Sequence, residues 1–308
     1  MSWTPDALAD LSGKTFVITG GNSGLGLESM RILAGKRARV VFTARSERNA
    51  AAALEDVRRS VPSADVEHVL LDLASLASVE EAASAILAKC ARIDALVNNA
   101  GVMQTPPSRT KDGFELQLGT NHLGHFRLGA LLLSRIEASS GRVVPVSSIA
   151  HKMGSIAVDD LFFERRRYEP TVAYSQSKLA NLMFGLELHR RLVARKSPVR
   201  SIPCHPGYAA TNLQSAGVGM EGGSKLLRAV YAVTNRVIAQ PAEQGAWPLV
   251  FSAADPSARS GEYYGPTGFY QARGPVGPSY IAKHAKDETV ARALWDKSEA
   301  LVGPFFAP

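Results

Sequence analysis

Short apolar runs rich in β-branched residues recur along the chain: Phe16-Val17-Ile18-Thr19, Val40-Val41-Phe42-Thr43, Val66 to Leu71, Ala95-Leu96-Val97, Val143-Val144-Pro145-Val146 and Val199 to Ile202. Between them lie alanine- and leucine-rich stretches of helical character at 25–35, 47–60, 76–90, 114–136 and 173–195. Strand alternating with helix predicts parallel strands joined by crossover helices. Strands this continuously apolar suit a sheet covered on both faces. After position 241, PAEQGAWPLVFSAADP predicts a helix ending at Pro256, followed by a Gly/Pro/Tyr-rich tail over 261–280. Lys225 to Ala239 predicts one further helix, preceded by Gly217, Gly219, Gly222 and Gly223. Glycine hinges of that kind suit a lid over 209–240 that orders when substrate binds. No proline/glycine cluster marks an interdomain linker before 241, and no internal repeat is visible. The pattern therefore predicts one doubly wound α/β domain spanning 1–308, with helices on both faces of a central parallel sheet.

Composition narrows the function classes. With 308 residues, 45% hydrophobic and 20% charged, the chain is ordinary globular material. The start, MSWTPDALADLSGK, lacks a basic segment followed by an apolar core, so no secretory signal is expected. No apolar run approaches the roughly 18 residues that span a bilayer. Two cysteines, Cys90 and Cys204, make neither a disulfide framework nor a metal-site spacing. A cytoplasmic protein without a bound metal is the expectation. The net charge of +7 is dispersed apart from Arg165-Arg166-Arg167, which reads as a solvated face. No aromatics interleave the basic residues, so a nucleic-acid partner is not expected. A modest positive field does favour an anionic small molecule.

The stretch TFVITGGNSGLG, residues 15–26, places Gly20, Gly21, Gly24 and Gly26 between the first strand and the first helix. A glycine-rich turn there lets backbone N–H groups approach a pyrophosphate at the positive end of a helix. The spacing Gly20-x-x-x-Gly24-x-Gly26 differs from G-x-G-x-x-G and is a moderate signal by itself; its position after a strand and before a helix raises it. The fold expected is Rossmann-like.

At this point the chain resembles the short-chain dehydrogenases/reductases, from about Gly13 to about Gly265. The motifs that carry the resemblance occur in order. Thr19-Gly20-Gly21-Asn22-Ser23-Gly24-Leu25-Gly26 matches the family's phosphate loop. Asp72, followed by Leu73 in LLDLAS, matches the acid near the adenine, and Asn98-Asn99-Ala100-Gly101 matches the segment ending the fourth strand. Asn121 in TNHLGHF matches the active-site asparagine. Ser148 in VSSIAH matches the catalytic serine, and Tyr174-x-x-x-Lys178 the catalytic pair. His205-Pro206-Gly207 with Thr211 resembles the turn beside the nicotinamide. LDLAS, NHLGHF, VSSIAH and YSQSKLAN look most like the retinol-dehydrogenase and protochlorophyllide-reductase branch. The resemblance implies a nucleotide-binding and catalytic core over 13–205. A substrate-side lid, last strand and tail would fill 206–308. A homodimer or homotetramer is compatible with it.

The chemistry explains the residue types. Reducing a carbonyl by hydride transfer leaves an oxygen that must receive a proton. Tyrosine is a usable acid, and a cation one helical turn away stabilises its phenolate. The resemblance assigns Lys178 to the nicotinamide ribose as well, and gives Asn121 a proton-relaying water. Ser148 would hydrogen-bond the substrate oxygen. Ser147 is the competing choice; strand alternation admits only one of the two, and the family pattern favours Ser148.

Cofactor choice is read at the end of the second strand. Ala44 offers no acceptor to a ribose and no repulsion to a 2′-phosphate, and Arg45 can bind that phosphate bidentately, with Arg48 adding positive field. The expectation is an NADP(H)-dependent oxidoreductase that interconverts an apolar alcohol and its aldehyde or ketone. A double-bond reductase on the same fold and a non-catalytic dinucleotide-binding regulatory module remain alternatives; intact Ser148, Tyr174 and Lys178 argue against the latter. The histidines His122, His125, His151 and His205 read as structural, Asp94 as a turn residue, and Asp159 and Asp160 as solvated. Tyr263, Tyr264, Phe269 and Tyr270 divide between a lid over the substrate and packing of the last strand. The 26 positions from Ser148 to Tyr174 exceed the family's usual spacing and predict a wall of the substrate pocket.

Overall fold

The computed structural model describes residues 2–208 and 240–307. The expected lid and helix within 209–240, and Thr211, lie outside the described residues, apart from Gln240.

Six strands form one parallel sheet: β1 (Thr15–Ile18), β2 (Arg39–Ala44), β3 (Val66–Leu70), β4 (Ala95–Asn98), β5 (Arg142–Pro145) and β6 (Arg200–Ser201). Their order is β3-β2-β1-β4-β5-β6. The chain winds outward from β1 to β3, returns across it to β4, and winds out the other way. The turning point between β1 and β4 leaves a crevice at their C-terminal ends, where ligands bind in sheets of this kind.

Alternation along each strand sorts the side chains into two layers. Phe16, Ile18, Val40, Phe42, Val97 and Val144 join one buried cluster. Helices α1 (Gly24–Gly35) and α2 (Glu47–Ser60) belong to it. Val17, Val41, Leu96 and Val143 face the other cluster, with α3 (Leu76–Lys89), α4 over 116–138 and α5 (Pro170–Ala194). Both faces are dry, as the apolar strands predict.

Helix α4 is not uniform. It runs Leu116–Leu118, widens into a π turn at Gly119–Leu123, and resumes as Gly124–Ala138. Such single π turns are frequent at functional sites. Helix α6 (Ala242–Ala254) ends just before Pro256, because the residue preceding a proline is disfavoured in helical geometry.

The sixth strand is shorter than the apolar run implies, since Pro145 on β5 has no N–H to give it, although Ile202 and Cys204 still donate to the Val143 and Pro145 carbonyls. Pairing resumes at Cys204, which bridges Val146 on one side and Tyr264 on the other. Tyr264 opens β7 (Tyr264–Pro266), which forms a small antiparallel pair with β8 (Val276–Pro278). A C-terminal helix, α7 (Glu288–Val302), lies beyond the elements expected from the apolar pattern. Its signals are present: Asp287 caps it through Thr289 and Val290 N–H groups, and Gly303 ends it at φ 94°.

Candidate active site

The glycine loop divides its four glycines between two tasks. Gly20 and Gly24 take φ of 67° and 54°, the left-handed region that side chains avoid. A Cβ at Gly21 would strike Phe42, and one at Gly26 would strike the Gly20 carbonyl and the Asn99 amide. Two glycines make the turn and two permit packing. The N-cap of α1, Ser23, makes no side-chain cap bond. Among the described residues the first turn of α1 therefore keeps backbone donors without a side-chain acceptor, at the wall of a groove of about 460 Å³.

That groove brings together most of the residues expected at a nucleotide: Gly20, Asn22, Ser23, Gly24, Leu25, Ala44, Arg45, Asp72, Leu73, Asn99, Ala100 and Gly101. Gly26 stands behind it, under Gly20. Ala44 is buried as the last residue of β2, and Arg45 is exposed. Among the described residues Arg45 makes no ion pair. Asp72 sits at the C-terminal end of β3 and accepts the Ala74 N–H at 3.1 Å. Thr43, Asn49, Val102, Met103 and Thr105 also line the groove and lie outside the sequence expectation. Thr43, Val102 and Met103 adjoin expected residues; Asn49 and Thr105 carry no sequence signal.

Asn99 and Thr19 lock the floor. Asn99 donates through Nδ2 to the Thr19 carbonyl at 2.8 Å. The Thr19 hydroxyl oxygen accepts the Asn99 and Ala100 N–H groups at 2.9 and 3.0 Å. Gly101 must be small, since a Cβ there would lie 2.8 Å from Asn121 Oδ1.

The catalytic candidates converge at the ends of β5 and α5. Ser147 is buried, and its hydroxyl donates to the Lys178 carbonyl at 2.7 Å. Ser148 is half-buried and accepts the Ala150 N–H at 3.2 Å, capping a short helix at Ile149–Met153. Tyr174 and Lys178 lie one turn apart on α5, with Lys178 Nζ 5.8 Å from the Tyr174 ring centroid. Lys178 Nζ donates to the Val146 carbonyl at 3.2 Å. Burial pushes its ammonium down to about 8 from 10.5. Asn121, in the π turn, accepts the Val102 N–H and donates to the Val102 carbonyl and to Ser177 Oγ at 2.9 Å each. Gly207 takes φ 70° and donates to His205 Nδ1; Pro206 accepts from Gln240.

A stability prediction follows from Lys178. Among the described residues Lys178 has no carboxylate partner; a buried ammonium so placed destabilises the fold, and an apolar replacement of similar shape is often neutral or stabilising. Since the folded value lies below the unfolded one, the cost is fully present below about pH 8 and fades by 10.5. Lys178→Met should raise the melting temperature of the cofactor-free protein by ~2 °C or more at pH 7. The gain should shrink between pH 8 and 10.5, as calorimetry across that range would report. A pH-independent difference would contradict the buried-charge account.

Two expectations are corrected. Asp160 is not solvated: although burial pushes its carboxyl up, N–H donors from Arg165, Arg166 and Glu164 and the Arg166 guanidinium outweigh this and hold it at about 2. Arg166 therefore leaves the solvated triplet. It also bonds Gln176 on α5 and sits over the Phe163 ring at 4.4 Å. The long segment between Ser148 and Tyr174 is folded around this hub. Tyr263 and Tyr264 are buried in the last strand, whereas Phe269 and Tyr270 are exposed at the hairpin tip. The four histidines are structural. His122 bonds Ser298, His125 bonds Thr19, His151 bonds the Ser148 carbonyl and His205 bonds Ser279. Burial pushes all four down, to between about 3 and 4. Among the described residues no group of three potential metal ligands occurs, and no helix is long and apolar enough to cross a membrane.

Comparison with known proteins adds to this geometry. The family described as short chain dehydrogenase matches residues 14–218. Human retinol dehydrogenase 13 is 38% identical over 298 residues, covering 96% of this chain and 86% of that protein. Mouse polyprenol dehydrogenase is 37% identical over 309 residues, covering 97% and 87%. The crystal structure of an uncharacterised protein from Mycobacterium paratuberculosis superposes with a TM-score of 0.79 at 39% identity, covering 98% of both chains.

Proposed function

Because the chain belongs to the short-chain dehydrogenase family, we propose that it is an NADP(H)-dependent oxidoreductase that interconverts an apolar alcohol and its aldehyde or ketone. The observation that supports the reading is the pairing of Tyr174 with Lys178 one turn apart on α5, Lys178 bonded to the Val146 carbonyl just before Ser148, together with a glycine-loop groove whose Val102 is bonded through Asn121 to Ser177 on the same helix. The groove suits a dinucleotide: Gly20, Ser23 and Gly24, which line it, would offer backbone to a pyrophosphate, and Asp72, lining it too, would meet the adenine amine. Arg45 offers a guanidinium to a 2′-phosphate. When bound, the nicotinamide supplies or accepts the hydride.

The chain's own residues handle the proton. Ser148, whose hydroxyl stays at a half-buried position, orients the substrate oxygen; Ser147 is committed to the Lys178 carbonyl. Tyr174 gives its phenolic proton to the oxygen that hydride addition leaves charged, and recovers it in the reverse direction. Lys178, cationic below about pH 8, stabilises the phenolate. Asn121 holds the loop at Val102 against α5 through Ser177, which keeps the tyrosine in register.

An apolar substrate is supported by the relatives named for retinol and polyprenol, both long apolar alcohols. The reading is tested by following NADPH oxidation with a panel of aldehydes, ketones, quinones and enones of rising chain length. Turnover of long-chain aldehydes or ketones is expected. Turnover confined to enones would replace the reading with double-bond reduction, and none with any member would end it.

A further inference from the structure

We propose that His125 is a positioning residue that ties the glycine loop to the catalytic helix, keeping the nucleotide cradle and Tyr174 in one register. The ring, carried by α4, is buried against the end of β1, with Nε2 2.8 Å from Thr19 Oγ1 and Nδ1 2.9 Å from the Asn121 carbonyl oxygen one turn back. A carbonyl can only accept, so Nδ1 carries the proton and Nε2 must accept. The Thr19 hydroxyl therefore donates to Nε2, 2.8 Å away, in preference to the Val97 carbonyl at 3.3 Å. Its lone pairs already take the Asn99 and Ala100 N–H groups. Every donor and acceptor at this junction is thus assigned.

The same donor sense continues from the other end of Asn121. Its Nδ2 donates to Ser177 Oγ, and the Ser177 hydroxyl donates to the Tyr174 carbonyl at 2.8 Å. A chain of bonds therefore runs from the backbone at Asn99 and Ala100, through Thr19, His125, Asn121 and Ser177, to the main chain of Tyr174. Networks of this kind, fully satisfied and out of water, hold their members rigidly. Burial supports the arrangement by holding His125 neutral, down at about 3, so the ring neither loses its acceptor nor changes tautomer at working pH.

The role in turnover rests on the oxidoreductase reading; the bond itself does not. Nitrogen-15 NMR of histidine-labelled full-length protein should show His125 as the neutral Nδ1–H tautomer from about pH 5 to 9, well above where burial leaves the ring. An Nε2–H tautomer, or a ring that titrates in that range, would overturn the assignment. Two variants test the role. His125→Ala should lower kcat at least ~10-fold and weaken NADPH binding about fivefold. His125→Asn keeps a donor for the Asn121 carbonyl, so kcat should stay within about threefold of wild type while the weaker NADPH binding persists. Both variants losing only melting temperature, with kcat and Kd per folded molecule unchanged, would reduce His125 to packing. If the wild type turns over no carbonyl, the oxidoreductase reading fails, and the NMR result still decides the bond.

Discussion

Replacing Tyr174 with phenylalanine should remove at least ~99% of turnover while leaving NADPH affinity within a few-fold, a barrier increase of about 3 kcal/mol or more. The ring is buried on α5, so the substitution keeps the packing and deletes the phenolic proton. Ser148 can orient a substrate oxygen but is not placed as an acid: its oxygen caps Ala150, and no basic side chain bonds it among the described residues. Lys178 does not substitute either, because its ammonium is directed to the Val146 carbonyl. Lys178→Ala should lose turnover and also weaken cofactor binding, because the family resemblance assigns Lys178 to the nicotinamide ribose as well. Steady-state rates and fluorescence titration on both variants separate the roles. Full turnover in the phenylalanine variant would remove Tyr174 from the mechanism.

Nucleotide preference should reverse with one side chain. Ala44 ends β2 at the groove and leaves room where an NAD-using enzyme presents a carboxylate to the ribose hydroxyls. A carboxylate introduced at this position would sit beside the 2′-phosphate of NADPH and repel it, while accepting hydrogen bonds from the hydroxyls of NADH. Ala44→Asp should therefore favour NADH. Arg45, exposed and without an ion pair among the described residues, is available to the phosphate. A charge-assisted contact is worth about 1.5–3 kcal/mol, so Arg45→Ala should weaken NADPH binding about 10- to 150-fold and barely change NADH. Titrating both nucleotides against wild type and the two variants decides the matter, and a wild type that prefers NADH would contradict the reading.

The sheet is legible in the sequence because its inner strands are short and buried on both sides, and because glycines punctuate the first crossover. The helix at 288–302 is harder to see although Asp287, Val290, Leu294, Trp295 and Gly303 mark it, since its apolar positions are widely spaced among charges. Asp160 misleads for a different reason. Its neighbours Glu164, Arg165 and Arg166 look solvated as sequence, and only the folded segment turns their backbone N–H groups inward. The glycine loop reads naturally through its ligand, yet Gly21 and Gly26 answer to Phe42 and Gly20 within the protein. Contacts between distant parts of the chain decide such positions. Thr19 and His125, 106 residues apart, are the clearest case.

The central claim is hydride transfer to a carbonyl carbon with Tyr174 supplying the proton. It is tested most directly by a single turnover with NADPH deuterated at the transferable position and a long-chain apolar aldehyde, the product being analysed by mass spectrometry and NMR. The account predicts an alcohol with deuterium on the carbinol carbon from wild type and almost none from Tyr174→Phe. Deuterium on a former double-bond carbon, or equal product from both proteins, would contradict it.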